Sequence, residues 1–299
     1  MTRYRWVAAR KAEGFPTAAA CAVARVSRQG FYAWCRRSAR GPSAAESAEA
    51  ELVAEIREIH ADSAGTYGSP RVTAELRRRG RRVNHKRVER LMANWGIVGV
   101  HVRRRRRAKS TGDLQAAPAD LVRRGFTPGA PDAIWAGDIT FVPTAQGWLH
   151  LAVVLDVGSR RLIGYSMAAD MRSRLVVDAL EMAVVARGGR SAGIIFHSDR
   201  GCQYLGREHT AALTRYGLHQ SAGRVGNCWD NSVVESFFSS LKRELVSRRR
   251  FATRDQARRE IFTWLAGYNT QRLHSSLAYQ TPTEWEDHHR RTHELDQAA

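Results

Sequence analysis

The chain has 299 residues, of which 43% are hydrophobic and 26% charged, with a net charge of +19 and a pI of about 10.9. That length supports one large domain or two to three small ones, and the apolar fraction excludes wholesale disorder. A field this positive favours a polyanion, most commonly nucleic acid, and the absence of any run of 18 apolar residues excludes a membrane-spanning helix.

Residues 1–40 read as two helices around a tight turn. Thr17 to Ala24 is a small-residue helix, Arg25 to Ser27 turns, and Arg28 to Arg37 carries Phe31, Tyr32 and Trp34. The pattern suits a helix-turn-helix or a plain helical hairpin. The stretch TAAACAVA is broken by Arg25 and lacks a cleavage pattern, so no signal peptide is expected. Residues 41–100 read as a second helical unit. Leu52, Ile56 and Ile59 form one stripe. Ser69-Pro70 opens a helix with Val72 and Leu76 below it, and Asn84 caps a third whose Val88, Leu91, Met92 and Trp95 share a face. Its outer face shows His85, Lys86, Arg87 and Arg90, which reads either as a DNA-contacting surface or as a solvated basic face.

Periodicity is lost over 101–131, a basic linker. Its Arg103, Arg104, Arg105, Arg106 and Arg107 suit a phosphate backbone. The four cysteines, Cys21, Cys35, Cys202 and Cys228, have neither zinc-ligand nor disulfide-framework spacing, so free thiols in a reducing cytoplasm are expected.

From 132 the pattern changes. IWAGDITFV, WLHLAVVLDV and RLIGYSMAA are three strands with tight connections, an antiparallel meander. A helix over 172–187, the short apolar strand GIIFHSD, a helix over 206–216, the strand LHQSA and a further helix complete the order βββαβαβα. That last helix carries Val234, Phe237, Phe238, Leu241 and Leu245 on one stripe. Asn231, Glu235, Ser239 and Lys242 line its other side. Ser232 to Glu235 matches a capping box, which alone would explain the glutamate. The core therefore spans 132–250. A C-terminal segment, 251–299, holds a helix over 254–268 and a polar tail that packs back as loop and short helix.

Asp138 lies mid-strand, where a carboxylate opposes strand propensity, and Asp199 ends the fourth strand, where open α/β sheets place ligands. Glu235 projects from a helix on the same sheet. Three converging carboxylates repel unless a cation neutralises them, and hard oxygen donors suit Mg²⁺ or Mn²⁺, with two ions serving phosphodiester displacement. His197 shares a face with Asp199, as a group orienting a ligand or as a packed core histidine. Asp156, before Gly158-Ser159, reads as a turn-capping residue rather than a ligand.

The motifs DIT at 138–140, HSDRGCQY at 197–204 and GNCWDNSVVESFFSSLKRE at 226–244 resemble those of insertion-sequence transposases. The group resembled is the IS-three group, second reading frame, with its retroviral-integrase-like (DDE) core. Thirty-five residues separate Asp199 from Glu235, the interval that group shows. The flanks YGSPRVTAELRRRGRRVNHKRVERLMANWGI and YNTQRLHSSLAYQTPTEW resemble its DNA-binding segment and C-terminal signature. Cys202 stands where the group usually has serine. The resemblance implies an α/β RNase H-like catalytic domain with a mixed five-stranded sheet, preceded by all-α helix-turn-helix-like segments. It implies Asp138, Asp199 and Glu235 as metal ligands and points to Lys242 as a DNA contact; Arg243 beside it is a further candidate contact, and Asn231 and His197 are candidate supports of the ligands. The function implied is cleavage at element ends and transfer of the 3′-OH to target DNA, by at least a dimer at the bacterial nucleoid. The group usually makes its active enzyme by frameshift fusion to an upstream helix-turn-helix protein. Two rivals remain: a DNA-binding regulator on a dead scaffold, and a nuclease that hydrolyses without joining.

Overall fold

A computed structural model describes residues 2–100, 118–122, 128–223 and 232–298, and the chain divides into two units, Met1–Gly99 and Val100–Ala299. Arg103 to Arg107, Cys228 and Asn231 lie outside the described residues. No helix of the described residues is long and apolar enough to cross a membrane.

The first unit is helical: α1 (Arg3–Ala12), α2 (Thr17–Val23), α3 (Arg28–Arg40), α4 (Ala44–Asp62), α5 (Ser69–Arg78) and α6 (His85–Asn94). The N-terminal segment therefore holds three helices, not two. In α1 only Val7 is buried, so the sequence carries no apolar stripe to announce it. Val7 packs with Ala20, Cys21 and Phe31, and Tyr4 stacks on Trp34 at 6.0 Å. In α4 to α6 the expected apolar residues Leu52, Ile56, Ile59, Val72, Leu76, Val88, Leu91 and Met92 are buried, and Asn84 caps α6 by accepting from the Lys86 N–H at 2.8 Å. Two expectations are corrected. Ser69 is already helical, with Gly68 as the cap, and its Oγ lies 3.2 Å from His85 Nε2. Trp95 follows α6 and is exposed; the Arg57 guanidinium sits over its ring at 4.7 Å, which keeps the indole covered without burying it.

The second unit is built on a five-stranded mixed sheet of order β3-β2-β1-β4-β5. The strands are β1 (Ile134–Thr144), β2 (Gly147–Asp156), β3 (Leu162–Ala168), β4 (Ile195–Ser198) and β5 (His219–Ala222). The first three form an antiparallel meander, whereas β4 pairs parallel with β1 and β5 parallel with β4. The helices are α7 (Ser173–Ala186), α8 (Cys202–Leu205), α9 (Arg207–Arg215), α10 (Ser232–Glu244), α11 (Arg254–Thr270) and α12 (Pro282–Ala298). Side-chain alternation sorts the two faces. Ala136, Val142, Leu149, Leu151, Val153 and Leu155 point toward Val234, Phe237, Phe238 and Leu241 of α10 and Ile261 and Leu265 of α11. Trp135, Ala152, Val154 and Phe196 point toward α7 and α9.

The C-terminal signature ties these layers together. Tyr268 packs edge-on against Phe237 at 4.7 Å. Asn269 brackets Leu162 at the head of β3, accepting from its N–H at 2.9 Å and donating to its carbonyl at 2.8 Å. Arg272 pairs with Glu244 of α10 at 2.8 Å and donates to Ser240 Oγ at 2.9 Å.

The tail beyond is a 17-residue helix, longer than the short helix expected. Charge, not an apolar stripe, anchors it. Glu286 of α12 is 3% exposed and meets Arg187 at 2.6 Å, Arg161, and the Ser159 hydroxyl at 2.7 Å. Asp156, fully buried, accepts from Ser159 N–H at 2.6 Å and Asp132 N–H at 2.6 Å, the turn-capping role expected of it. Burial pushes the Glu286 carboxyl up, but hydrogen bonds and charge from Arg187, with Ser159 and Arg161, outweigh it and hold the group at about 2. A carboxyl depressed from 4.5 stabilises the fold above that pH, and the contribution is lost as pH falls toward 2. Removing one partner of a buried pair strands the other charge. Glu286→Ala should therefore lower the unfolding free energy at pH 7 by about 3–5 kcal/mol. Urea denaturation checks this; an unmoved midpoint would show that the cluster does not hold α12.

Candidate active site

The parallel pairing of β1 with β4 sets the site. Ile134, Trp135 and Ala136 stand opposite Ile195, Phe196 and His197. Carried on by two residues, that register sets Asp138 beside Asp199, one residue past the end of β4. Side chains at one level of adjacent parallel strands share a face, here the face of Ala136, on which α10 packs. Glu235 is the fourth residue of α10 and partly buried. Ser232 is itself helical, so it begins the helix rather than capping it; the preceding position lies outside the described residues.

Asp138 is partly buried and its Oδ1 accepts from the Ile139 N–H at 2.8 Å. Its carboxyl is pushed up to about 7, first by burial, then by the charge of Asp199, with Glu235 adding to it; the Ile139 N–H and Lys242 oppose the rise. Asp138 thus feels both other carboxylates, and also Lys242, which is exposed two turns after Glu235. Asp199 is exposed, with Oδ1 accepting from the Gly201 N–H at 2.9 Å. A Cβ on Gly201 would lie 2.9 Å from that oxygen, so glycine permits the backbone to approach.

Oxygen donors of this kind, mutually repelling, suit a hard divalent cation. Among the described residues, however, no three His, Cys, Asp or Glu side chains form a group that could hold a metal ion. The donor chemistry fits a cation; the grouping shown is open.

Beneath the carboxylates, on the opposite face, lies a residue that sequence reasoning quoted but did not weigh. Tyr204 of α8 is 2% exposed, and its hydroxyl is buried with no hydrogen-bond partner among the described residues. Burial raises its pKa, and the charges of Asp138 and Asp199 raise it further, so the phenol stays protonated. Gly137 makes room for this packing: a Cβ there would come within 2.7 Å of Phe196 and 3.2 Å of Tyr204. The only sequence signal was its place in HSDRGCQY.

An integrase core domain family matches residues 128–228, a second integrase core domain family matches 216–282, and an HTH-like domain family matches 46–107. The chain is 35% identical to the transposase InsF for insertion sequence IS3A of Escherichia coli K12, over 95% of this chain and 98% of that protein. It is 35% identical to the transposase for insertion sequence element IS904 of Lactococcus lactis, over 81% of this chain and 96% of that one. The chain belongs to the IS3-family transposases. Of solved structures, the HTLV-2 integrase catalytic core domain in complex with magnesium matches 52% of this transposase and 97% of that chain, at 20% identity and a TM-score of 0.40. The transposase thus joins an α/β integrase core to an all-helical, HTH-like N-terminal region.

The other expected residues fall variously. His197 is fully buried with Nδ1 2.9 Å from Ser221 Oγ, a packed core histidine. Arg243 is partly buried on α10. In the N-terminal unit, Lys86 is exposed, Arg87 and Arg90 share Glu49 at 4.0 and 3.2 Å, and His85 is partly buried against Ser69. Cys21, Cys35 and Cys202 are free thiols.

Asp138 binds its proton more tightly folded than its ordinary value of 3.8, so stability falls as pH rises from about 4 to about 7. In metal-free buffer Asp138→Asn should melt near the wild type at pH 4 and increasingly above it toward pH 7.5. Thermal melts in EDTA check this. An equal difference at both pH values would deny the raised Asp138 carboxyl.

Proposed function

We propose that this transposase cuts phosphodiester bonds at the ends of its insertion sequence and joins the freed 3′-OH to target DNA. Asp138, Asp199 and Glu235 would be its catalytic residues and metal ligands. The observation that carries the reading is the register-matched pair Asp138 and Asp199, with Glu235 on the helix packed over the same face and the charges of both acting on Asp138. Two cations of the Mg²⁺ or Mn²⁺ kind, when bound, supply activation of the attacking oxygen and stabilisation of the leaving one.

The chain's own residues do the rest. Asp138 would present its carboxyl from the middle of β1, while Asp199 comes from the end of β4 and Glu235 from α10. Lys242 would hold a phosphate beside the cleaved bond, and Arg243 would contact the same strand. His85, Lys86, Arg87 and Arg90, together with the arginines at 103–107, would carry most of the DNA affinity, each neutralised phosphate adding roughly 0.9 to the salt slope. Residues 1–40, 41–100 and 101–131 thereby serve DNA binding, 132–250 the chemistry, and 251–299 its support. Pairing two ends requires at least a dimer, acting at the nucleoid, and fusion with an upstream-frame protein would complete the enzyme.

Labelled element ends, Mg²⁺ and a plasmid target test the reading. Joined product is expected from the wild type, and neither cleavage nor joining from Asp138→Asn, Asp199→Asn or Glu235→Gln, each still binding DNA. Nicks alone would make the protein a nuclease, and binding alone a regulator. Near-normal joining by a variant would remove that residue from the site.

Lys242→Ala should slow end cleavage by an amount worth about 1–3 kcal/mol, the scale of a charge-assisted hydrogen bond, with an unchanged melt. Unaltered cleavage kinetics would make Lys242 a solvated surface residue.

A further inference from the structure

The face of the sheet that α7 and α9 cover near Trp135 carries, toward the β1–β2 hairpin, an open aromatic surface. Phe141 is 45% exposed and Trp148 is 56% exposed, although strands usually present large aromatic rings to a partner. Their rings stand edge to face at 6.2 Å, and His150 meets Phe141 edge-on at 5.3 Å. The register explains the grouping: Phe141 lies opposite His150 and Pro143 opposite Trp148, so all three rings leave one face. This surface is outside the active site. Phe141 is three residues along β1 from Asp138, roughly 10 Å away, and alternation puts it on the opposite face.

Its rim is basic. Phe251 bridges Thr144 at the end of β1, and Ala145 N–H donates to the Phe251 carbonyl at 2.9 Å, which brings the segment from Arg248 to Arg254 against the hairpin. Arg248, Arg249 and Arg250 are exposed. Arg254 donates from Nε to the Trp148 carbonyl at 3.0 Å, and its N–H bonds Gln146 at 3.0 Å. From 246 to 260 there are six arginines against two acids. Exposed rings on a sheet, with an arginine-rich segment against the same hairpin, are what unpaired bases stack on while phosphates meet the basic segment.

We propose that Phe141 and Trp148 form a stacking platform for single-stranded DNA, with Arg250 meeting its phosphates. The charge of the rim selects a polyanion over a neutral protein partner, and flat rings without a deep pocket select bases over a small molecule. A duplex keeps its bases stacked internally and offers this platform only its backbone. The platform would take a strand whose bases have come unpaired near a cut, and to that extent it rests on the DNA-processing reading above.

The test is anisotropy of a labelled oligo(dT) and of a duplex of equal length, binding to the full chain without metal. Trp148→Ala should weaken oligo(dT) binding about tenfold, within the range of one lost base–aromatic stack, and leave duplex binding near wild type. Trp148→Phe should keep most of the affinity, and Arg250→Ala should lower the single-strand salt slope by about 0.7. Because both residues are exposed, melts should match the wild type. Wild-type oligo(dT) binding by Trp148→Ala would overturn the proposal. So would equal losses for single strand and duplex, or a Trp148→Ala chain that changes its oligomeric state, which would make the surface a contact between copies. Needing neither metal nor turnover, the assay separates this proposal from the catalytic one: a lost platform leaves the carboxylate variants' behaviour as it stands, and the reverse.

Discussion

The parallel pairing of β1 with β4 places Asp138 at the level of Asp199, half-buried beside another carboxylate, and the integrase core of this transposase is arranged to hold it there. Gly137 lets Phe196 and Tyr204 pack directly beneath, and Gly201 lets the chain turn tightly back onto Asp199. Burial first, and then the charges of Asp199 and Glu235, make an ionised Asp138 a standing cost to the fold, visible in a carboxyl raised to about 7. A carboxyl shifted this far by its surroundings marks a candidate functional site.

The remainder of the second unit offsets that cost away from the site. Arg272 and Tyr268 fasten α10 from below and so fix the helix that carries Glu235. Asn269 fastens β3, and Glu286 with Arg187 fastens α12 to the far end of the sheet. The C-terminal signature is therefore structural in its contacts: its polar residues are spent on the backbone of β3 and on the end of α10. Charge works oppositely in the two places. Glu286 is surrounded by cations and stabilises the fold; Asp138 is surrounded mainly by anions and does not.

Much of the strand order was legible because β1, β2 and β3 are apolar runs of strand length and the turns that join them carry Gly147 and Gly158. The turn-capping role of Asp156 was legible for the same local reason. What lay beyond the sequence depends on distant pairing. Glu286 and Arg187 are 99 positions apart, and α12 has no apolar stripe, so its helix and its anchor were both hidden. In α1 a single buried valine was too little signal. Trp95 satisfied the helical spacing of α6 but lies past its end, where an arginine covers it instead. Motif order singled out three candidate carboxylates, yet the placement of Asp138 beside Asp199 rests on a strand register that spacing alone does not carry, and Tyr204 gained meaning only from its depth beneath them.

The central claim is that Asp138, Asp199 and Glu235 act as one cation site. The thermal midpoint of the full chain on Mn²⁺ titration at pH 7.5, wild type against Asp199→Asn, tests it most directly. A ligand that binds only the folded state stabilises it by about 2.7 kcal/mol at a hundred times its Kd. The expected result is a wild-type midpoint that climbs with Mn²⁺ and an Asp199→Asn midpoint that stays level. Equal climbs for both proteins would contradict the claim.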